Sequence, residues 1–563
     1  TGVLSFTVED ETGILVPAKV SIFRLDGQPN RDPILGDGFI AGSPEAVVFP
    51  MYGEGVVELR PGTYQAIASR GLEYEIDISD AFTINTNQGE FLQLQVVRSI
   101  ETDGWISADL HVHAEPSHDS GMSLANRVRS MVCEGVEFFA GTDHDVIIDY
   151  APTVELLGME NWVQTAVGTE TTTLEIGHFL AFPLAVDFID VAGGAMDWTD
   201  MTPDDIFAGL VQQGQDAGHD PFYWVAHPRD GILGYYDQYG FDPYTGTILT
   251  PTLSMLNPLL TAGAFSWDYH GVECLNAKRF ELIRTPTQAE LDDFSAGGTT
   301  DIYDMITRTL EEQEDLENGI YRLGYGHEGT VDDWFSFLNL GFRYTAMGNS
   351  DTHSFTSTEA GCPRNYIMSN ADDPAFIDDQ FIADAMRNHQ AVASYGPFVR
   401  MWIEGVPIGG DVVPEGGTFY VEVEVQAPSW MGVDRIELYE NGTLVGESAI
   451  AQGEGPLYVL ETFERTPVED AWYVAIVMGD SDLGPVFTPV EIPYIELQMV
   501  ITEALGGVES VSALLPSAVP IPREFPIRPF AITNPIWADL ADDGFDHPGL
   551  PDWLLPPIKP SDE

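Results

Sequence analysis

From residue 101 to about 396, short apolar segments alternate with amphipathic segments. Of all the features of the sequence, this order restricts the possible folds most. A strand is predicted at 105–113, and Ser123 can cap a helix whose apolar residues recur at helical spacing. The order repeats further on, with a helix at 202–218 before a strand at 222–226. Repeated strand-then-helix order predicts parallel strands, and hence an α/β barrel or a doubly wound sheet.

Many of the chain's 12 histidines follow these predicted strands. His111 and His113 are two residues apart on one strand, so both imidazoles project from one face, as in many metal chelates. The carboxyl ends of strands in an α/β barrel converge on one mouth, where we expect a metal site. The side chains with this placement are His111, His113, His118, His144, Glu170, His178, His227, Asp351 and His353.

A histidine at any one of these positions is more often structural or merely exposed than a ligand. The joint pattern, with each member after an apolar strand of one domain, favours a functional site. Cys133, Cys274 and Cys362 give neither a disulfide framework nor a zinc ribbon. The histidines without this placement, interpreted as structural, are His219, His270, His327, His389 and His547.

β-rich domains are predicted on both sides of the central one. Residues 1–100 contain short alternating runs separated by turn clusters, which is typical of a small β-sandwich. Residues 397–500 show the same pattern, with a hairpin around Asn441 and the glycine after it. We expect residues 286–340 to be a mostly helical, acidic insertion, and the Pro-rich residues 501–563 to wrap over the body.

The charge of the chain excludes several classes of partner. It has 23 Lys and Arg against 90 Asp and Glu, a net charge of −67. That field repels phosphate backbones and anionic lipid, which argues against nucleic-acid and membrane-surface binding, and it attracts metal cations. No apolar run approaches the roughly 18 residues needed to span a bilayer. From Thr1 as first residue and the β-sandwich modules we expect a secreted, periplasmic or cell-surface protein whose signal peptide has been removed.

Six short motifs occur in a fixed order along the central domain. They are Asp109-Leu110-His111-Val112-His113, Thr142-Asp143-His144, Gly168-Thr169-Glu170, Gly177-His178, His227-Pro228 and Asp351-Thr352-His353. This order resembles the PHP (polymerase and histidinol phosphatase) superfamily of metallohydrolases. The flanking β-domains and the segment Gly-Val-Glu-Cys-Leu-Asn at 271–276 look like its CehA/McbA-like branch, which includes carbamate-ester hydrolases. The resemblance implies a distorted (β/α)7 barrel flanked by N- and C-terminal β-sandwich domains.

The resemblance also implies two to three divalent metal ions, two of which share a bridging carboxylate. The ligands of the first ion would be His111, His113, Glu170 and Asp351. Those of the second would be Glu170, His178 and His227. Those of the third would be His118, His144 and His353. The loop after the first strand offers Asp119 as well, and if Asp119 is the ligand, His118 lies behind it.

Imidazole and carboxylate ligands suit Zn, Mn or Fe, and the sequence does not choose among them. Two ions that share Glu170 can hold a bridging water and lower its pKa, so that hydroxide is the nucleophile near neutral pH. We expect a phosphoesterase acting on a small molecule, because three ions can hold three oxygens. The alternatives are a carboxylic or carbamic ester hydrolase and, in another class, an extracellular structural or adhesion protein with a closed metal cluster.

Three further side chains are candidates for the catalytic site. Arg229 and Lys278 follow predicted strands, and they are expected either to bind an anion or to pair with the surplus of acids. Asp109 adjoins His111 and is expected to orient an imidazole. The acidic segment 539–546 offers oxygen ligands for Ca²⁺, although its spacing breaks the EF-hand pattern and favours a solvated turn.

Overall fold

The computed structural model shows an α/β protein with several sheets. No helix among the described residues is long and apolar enough to cross a membrane. The structure describes residues 1–27, 44–174, 176–230, 233–243, 245–248, 261–279, 329–355, 358–451, 453, 455–488, 490–491, 524–525 and 527–550.

The N-terminal part is all-β, as predicted, and two sheets enclose one apolar core. Its first strand shows why, because Leu4, Phe6 and Val8 alternate with residues that face outward. The strands are β1 (Gly2–Glu9), β2 (Lys19–Arg24), β3 (Ala46–Val48), β4 (Glu54–Leu59), β5 (Gly62–Ser69), β6 (Tyr74–Glu75), β7 (Asp77–Ile78), β8 (Phe82–Ile84), β9 (Gly89–Gln95) and β10 (Val97–Arg98). The two main sheets have the orders β4-β1-β9 and β3-β2-β5-β7.

The central part holds the strands that were predicted to end in histidines. Its strands are β11 (Trp105–Val112), β12 (Phe138–Gly141), β13 (Gln164–Val167), β14 (Thr169–Thr172), β15 (His178–Phe182), β16 (Phe222–Val225), β17 (Phe241–Asp242), β18 (Thr247–Ile248), β19 (Gly271–Asn276), β20 (Thr345–Asn349), β21 (Arg364–Met368) and β22 (Ala391–Ser394). Its α-helices are α1 (Leu124–Cys133), α2 (Ala151–Leu157), α3 (Pro203–Asp216), α4 (Tyr235–Tyr239), α5 (Thr330–Asn339) and α6 (Asp379–Arg387). Short 3₁₀ turns lie at Val191–Gly194, Ala262–Ala264 and Pro374–Phe376.

These strands fall into two sheets that meet at the predicted site. Strands β11, β12 and β13 are parallel neighbours, and β16, β19 and β20 are parallel neighbours in the second sheet. Strands β14 and β15 form an antiparallel pair, which a short loop closes without a crossing helix. The described residues therefore contain fewer helices than a regular (β/α)7 repeat. Isolated bridges join the two sheets at Val112 with Thr352 and at His144 with Glu170.

The helix signals of the sequence are confirmed where they were strongest. Ser123 caps α1 and accepts a hydrogen bond from the backbone N–H of Asn126. Thr202 and Asp205 form a reciprocal capping box at the start of α3, with Pro203 in the first turn.

The described residues of the C-terminal part again form strands and loops. One sheet has the order β24-β23-β26-β29, and the predicted hairpin at Asn441 joins β27 to β28. The strands are β23 (Phe398–Ile403), β24 (Val406–Pro407), β25 (Asp411–Val412), β26 (Phe419–Ala427), β27 (Arg435–Glu440), β28 (Thr443–Ala449), β29 (Leu457–Arg465), β30 (Ala471–Met478), β31 (Val490–Glu491), β32 (Glu524–Phe525), β33 (Phe530–Thr533) and β34 (Ile536–Ala538).

The tail does more than wrap over the body. Strand β33 pairs with β22 of the central part on one side and with β30 of the C-terminal part on the other. It makes one continuous sheet from strands that the sequence assigns to two domains. All four of its residues are buried, so the apolar run Phe-Ala-Ile there is a core strand.

The predicted insertion and the predicted acidic segment differ in what the structure describes of them. Most of the predicted insertion, at 286–328, lies outside the described residues, whereas its last turns are helical in α5. In the acidic segment, Asp539 accepts the backbone N–H groups of Ala541, Asp543 and Gly544. That carboxylate closes its own loop, as expected for a solvated acidic turn.

Two buried lysines tie parts of the chain together. Lys19 of β2 forms an ion pair of 2.6 Å with Glu134 at the end of α1, and its Nζ also donates to the carbonyl of Val486. Lys278, just after β19, forms an ion pair with Glu359. Both side chains are almost fully withdrawn from solvent. The contacts of Lys19 hold the N-terminal part against the central and C-terminal parts, whereas the Lys278–Glu359 pair lies within the central part.

Candidate metal centre

Strand β11 places His111 and His113 in the centre of the molecule. The two residues are fully buried, and their ring centroids are 4.9 Å apart. Leu110 and Val112, which alternate with the two histidines along the strand, pack into two separate apolar clusters instead. The strand period of two therefore directs both imidazoles to one side of β11, while the residues on its other side anchor the strand in apolar packing.

The other predicted ligands reach the same place from other strands. His144 follows β12, His227 follows β16, and Asp351 follows β20. The β14–β15 hairpin returns His178 opposite Thr172, two residues from Glu170. The structure thus brings together side chains that lie up to 242 positions apart in the sequence (His111 to His353, 353 − 111).

The first group consists of His111, His113, Glu170 and Asp351. Glu170 Oε2 lies 3.4 Å from Nε2 of both histidines. Asp351 Oδ1 lies 3.3 Å from His111 Nε2 and 3.1 Å from His113 Nε2. Two ligand atoms about 2.1 Å from one cation are about 3.4 Å apart at a tetrahedral angle, so these spacings fit a shared ion.

The second group consists of Glu170, His178 and His227, whose ligand atoms all lie within 4.8 Å of one another. Here the other carboxylate oxygen is used, because Glu170 Oε1 is 2.9 Å from His178 Nδ1 and 3.5 Å from His227 Nε2. One oxygen of Glu170 thus faces each group. This is the arrangement expected of a bridging carboxylate.

The third group contains His144, His353 and Asp119. Asp119 Oδ2 lies 3.2 Å from His144 Nε2 and 3.3 Å from His353 Nε2. His113 is also within 4.8 Å of both histidines, so this group adjoins the first. Its side chains are partly open to solvent, with Asp119 44% exposed.

His118, the first candidate for this position, belongs to none of the three groups among the described residues. It is exposed, and its ring lies against that of His144 with centroids 5.0 Å apart. The loop directs the Asp119 carboxylate toward the two histidines. Asp119 is therefore the better ligand by position.

Several of these polar atoms are buried without a hydrogen-bond partner. Such orphans are rare in folded interiors, because each one costs free energy of desolvation. Cations held in the first and third groups would give partners to His111 Nε2, His113 Nε2, Glu170 Oε2 and His353 Nε2, so the donor set fits a metal centre. The orphaned atoms are His111 Nε2, His113 Nε2, Glu170 Oε2, His178 Nε2, His227 Nδ1 and His353 Nε2.

The carboxylates and imidazoles shift one another's pKa strongly. Burial opposes the charge of Glu170, but His144, His111 and His178 outweigh it and hold its pKa well below the usual value. Burial likewise opposes the charge of His111, yet Asp351, Glu273 and Glu170 raise its pKa well above the usual value. Both acids that would bridge or bind cations, Glu170 and Asp351, are thus held as carboxylates.

The two imidazoles nearest the third group differ in charge preference. Burial lowers the pKa of His113 well below its usual value, which keeps it neutral and able to bind a cation. Burial also disfavours the charge of His144, but Glu170 and Asp119 overcome it and raise the pKa of His144 to about 9.

Two supporting residues were missed by the sequence analysis. Ser117 Oγ donates to Asp143 and lies 2.9 Å from His113 Nδ1, so it receives the N–H of that ring. Glu273 lies 2.9 Å from His111 Nδ1 in the same way. Strand alternation indicates which face Glu273 occupies, but only the fold shows that this face meets His111.

Asp109 is not placed as a catalytic group. Its carboxylate accepts the backbone N–H groups of Ser350 and Gly361 and the Ser350 hydroxyl. It contacts His111 only through the backbone N–H, at 3.5 Å, so it holds the loop after β20 instead of orienting an imidazole. Burial raises the pKa of Asp109.

Arg229 and Lys278 are not directed at the metal groups either. Arg229 forms two parallel hydrogen bonds of 2.7 and 2.6 Å to the buried Asp333 and a third of 3.1 Å to Asp237. Lys278 pairs with Glu359 and donates to the carbonyl of Thr488. The alternative interpretation, that these cations pair with the surplus of acids, is the one that the contacts support.

Comparison of the sequence with known protein families gives no match, and no curated protein matches it. The geometry of the three ligand groups is therefore the basis on which a function is assigned.

Proposed function

We propose that this chain is a metal-dependent hydrolase of the PHP type, most readily a phosphoesterase. The observation that carries the proposal is the set of buried, unpaired ligand atoms around Glu170. The three adjoining groups, which share Glu170 and His113, offer more ligand atoms than a single structural ion binds. Closed structural sites use four ligands around one ion, whereas this cluster opens to solvent at Asp119 and His353.

The proposed fold of the central part is a distorted (β/α)7 barrel. In support, β12 lies between β11 and β13 in one sheet, and in the other sheet β14 is followed in order by β15, β16, β19 and β20. The bridge from Val112 to Thr352 brings the end of the β20 loop back to β11. Ligands at the carboxyl ends of such strands lie at one mouth, which agrees with the clustering of the site.

In this proposal the first, second and third groups would each hold a Zn, Mn or Fe ion, and Glu170 would offer one carboxylate oxygen to each of the first two. Such ions supply Lewis acidity and make hydroxide available near neutral pH. The chain's own contribution is to hold the ligand atoms at fixed spacing and to keep Glu170 and Asp351 ionised. The buried walls around His111 exclude bulk water from that side.

The substrate is proposed to be a small phosphoester. Three adjoining cation positions suit a group with three oxygens, and the third group faces solvent where a substrate would enter. The carboxylates in and beside the site, Glu170, Asp351, Asp119 and Glu273, total four charges against six for three divalent ions. The loaded site is therefore positive and attracts an anion.

A carboxylic or carbamic ester is the second candidate, and a specific observation favours it. Arg229 and Lys278 are committed to Asp333 and Glu359, so neither supplies the anion clamp that many phosphate sites contain. A neutral ester does not need such a clamp.

The deciding experiment is to load the protein with Zn²⁺ or Mn²⁺, measure the bound metal and assay 4-nitrophenyl phosphate beside 4-nitrophenyl acetate and an aryl carbamate. Hydrolysis of the phosphate supports the phosphoesterase, and hydrolysis of the esters alone replaces it with the ester hydrolase. His113→Ala should abolish either activity while the flanking β-domains stay folded. A wild-type protein that binds metal but hydrolyses nothing would fit the structural alternative instead.

A further inference from the structure

Glu273, on β19, is a buried carboxylate behind the first and second groups. It is only 1% exposed, and N–H donors surround it. The donors to Oε1 are His111 Nδ1 at 2.9 Å, Trp224 Nε1 at 3.0 Å and Asn349 Nδ2 at 2.8 Å. The donors to Oε2 are the backbone N–H of His227 at 3.1 Å and Asn276 Nδ2 at 2.9 Å.

Because all five partners are N–H groups, a proton on this carboxyl group would have nothing to bond to. Glu273 therefore accepts a hydrogen bond at every contact. His111 must therefore carry its hydrogen on Nδ1. A cation that takes the place of the Nε2 proton would then meet the lone pair of Nε2 on the side of Glu170 and Asp351, whose oxygens lie 3.4 and 3.3 Å away. Glu273 thus selects the tautomer of His111 that can bind a cation.

Glu273 also touches the second group. It holds His227 not by the ring but by the backbone N–H, at the point where the chain leaves β16 with a positive φ of 23°. That backbone conformation is uncommon for a side chain with a Cβ and needs fixed partners to persist. The same carboxylate therefore fixes a ring in one group and a strand end in the other.

We propose that Glu273 is a positioning residue that couples the first and second metal positions, an inference that rests on the proposed metal-dependent function. The Glu170 carboxylate faces both positions directly, whereas Glu273 contacts the residues that line them, His111 and His227. Partners of this kind typically contribute 10–100-fold to metal affinity, roughly.

The test is a titration of metal-stripped protein with Zn²⁺ against a chelating indicator, which gives the stepwise affinities. Glu273→Gln keeps the shape of the side chain but places an amide N–H where the carboxylate accepts the N–H of His227. We expect the Zn²⁺ affinities of both the first and the second position to fall by roughly 10–100-fold. The control is Glu424→Gln, a buried carboxylate of β26 that accepts from Gln426 and Tyr458 and touches no candidate ligand. Its affinities should equal those of the wild type.

Each outcome decides the question. Loss at both positions supports the coupling, whereas unchanged affinity, or loss at one position only, overturns it. If Glu273→Gln does not fold, Asn276→Ala at the half-buried end of β19 removes one donor and should give a smaller loss at both positions. No change in Asn276→Ala would then overturn the inference. A wild-type protein that binds no Zn²⁺ overturns the proposed function itself, which distinguishes the two failures.

Discussion

His118 and Asp119 are neighbours in one loop, yet the fold gives them different surroundings. Asp119→Ala should remove the third bound ion, because its oxygen is the one near both His144 and His353. His118→Ala is the matched control and should leave the metal content unchanged. Inductively coupled plasma analysis after gel filtration measures the number of ions per chain. An equal loss in both variants would contradict the assignment.

Buried histidines away from the site should make stability depend on pH. Burial and the nearby Arg343 lower the pKa of His389 to about 3, and its Nδ1 lies 2.8 Å from the Thr345 hydroxyl. The folded state therefore binds fewer protons than the unfolded state, whose histidine titrates near 6.5. The stability contributed by neutral His389 is complete above about pH 6.5 and declines as the pH falls toward 3.

We expect the loss between pH 6.5 and 4.5 to be about 2–3 kcal/mol from this residue. His389→Asn, which tolerates the local φ of +59°, should show a correspondingly shallower fall in melting temperature over that range. His219→Asn is the control and should follow the wild-type profile. If His389→Asn does so too, the prediction is wrong.

Strand-end position and residue type together predicted most of the candidate ligands. Asp351 and His353 were accessible to this reasoning because each follows an apolar run. The roles of Arg229 and Lys278 were not, because their acidic partners Asp333 and Glu359 lie about a hundred positions away and only the fold brings them near. An arginine beside a predicted mouth looks the same in the sequence whether it is paired or not.

At the scale of elements, the capping box of α3 invites a direct test. Thr202 and Asp205 exchange side-chain and backbone hydrogen bonds at its start. Thr202→Ala should destabilise the helix end by about 1 kcal/mol. Hydrogen exchange of the first turns of α3 should then be about fivefold faster. Thr199→Ala, whose hydroxyl bonds only to the exposed Asp197, should leave those rates unchanged.

Helix α3 could be predicted because its signals are local, whereas the β14–β15 hairpin could not. The sequence analysis recognised Glu170 and His178 as candidate ligands but predicted no strand at 169–172 or 178–182. Pairing with β16 decides the direction, since β15 lies antiparallel between β14 and β16. Regular strand–helix alternation was therefore expected where the protein uses a hairpin.

The net charge of −67 is a property of the whole molecule and should govern its response to salt. Acidic side chains repel one another across the folded surface, and salt screens that repulsion. The buried pairs of Lys19 and Lys278 are shielded from ions in solution and should persist. The melting temperature should rise between 0.05 and 1 M NaCl and equally in KCl, measured by scanning calorimetry. A fall in both salts would contradict this account.

The tail shows what composition does not reveal about the arrangement of distant segments. Residues 501–563 look like a Pro-rich appendage, yet β33 lies between β22 and β30. The sequence of the four residues of β33 does not indicate which two distant strands they will lie between. That information is carried by the gap between those strands, which is visible only in three dimensions.

The position of β33 has a consequence for how the chain is made. On the ribosome, β22 and β30 emerge well before residues 530–533, so each waits with an unsatisfied edge beside the other. The unpaired N–H and C=O groups of such a strand edge can form hydrogen bonds with strands of other chains. Synthesis that stalls after β30 should therefore yield a product prone to aggregate, although every candidate ligand has already been translated.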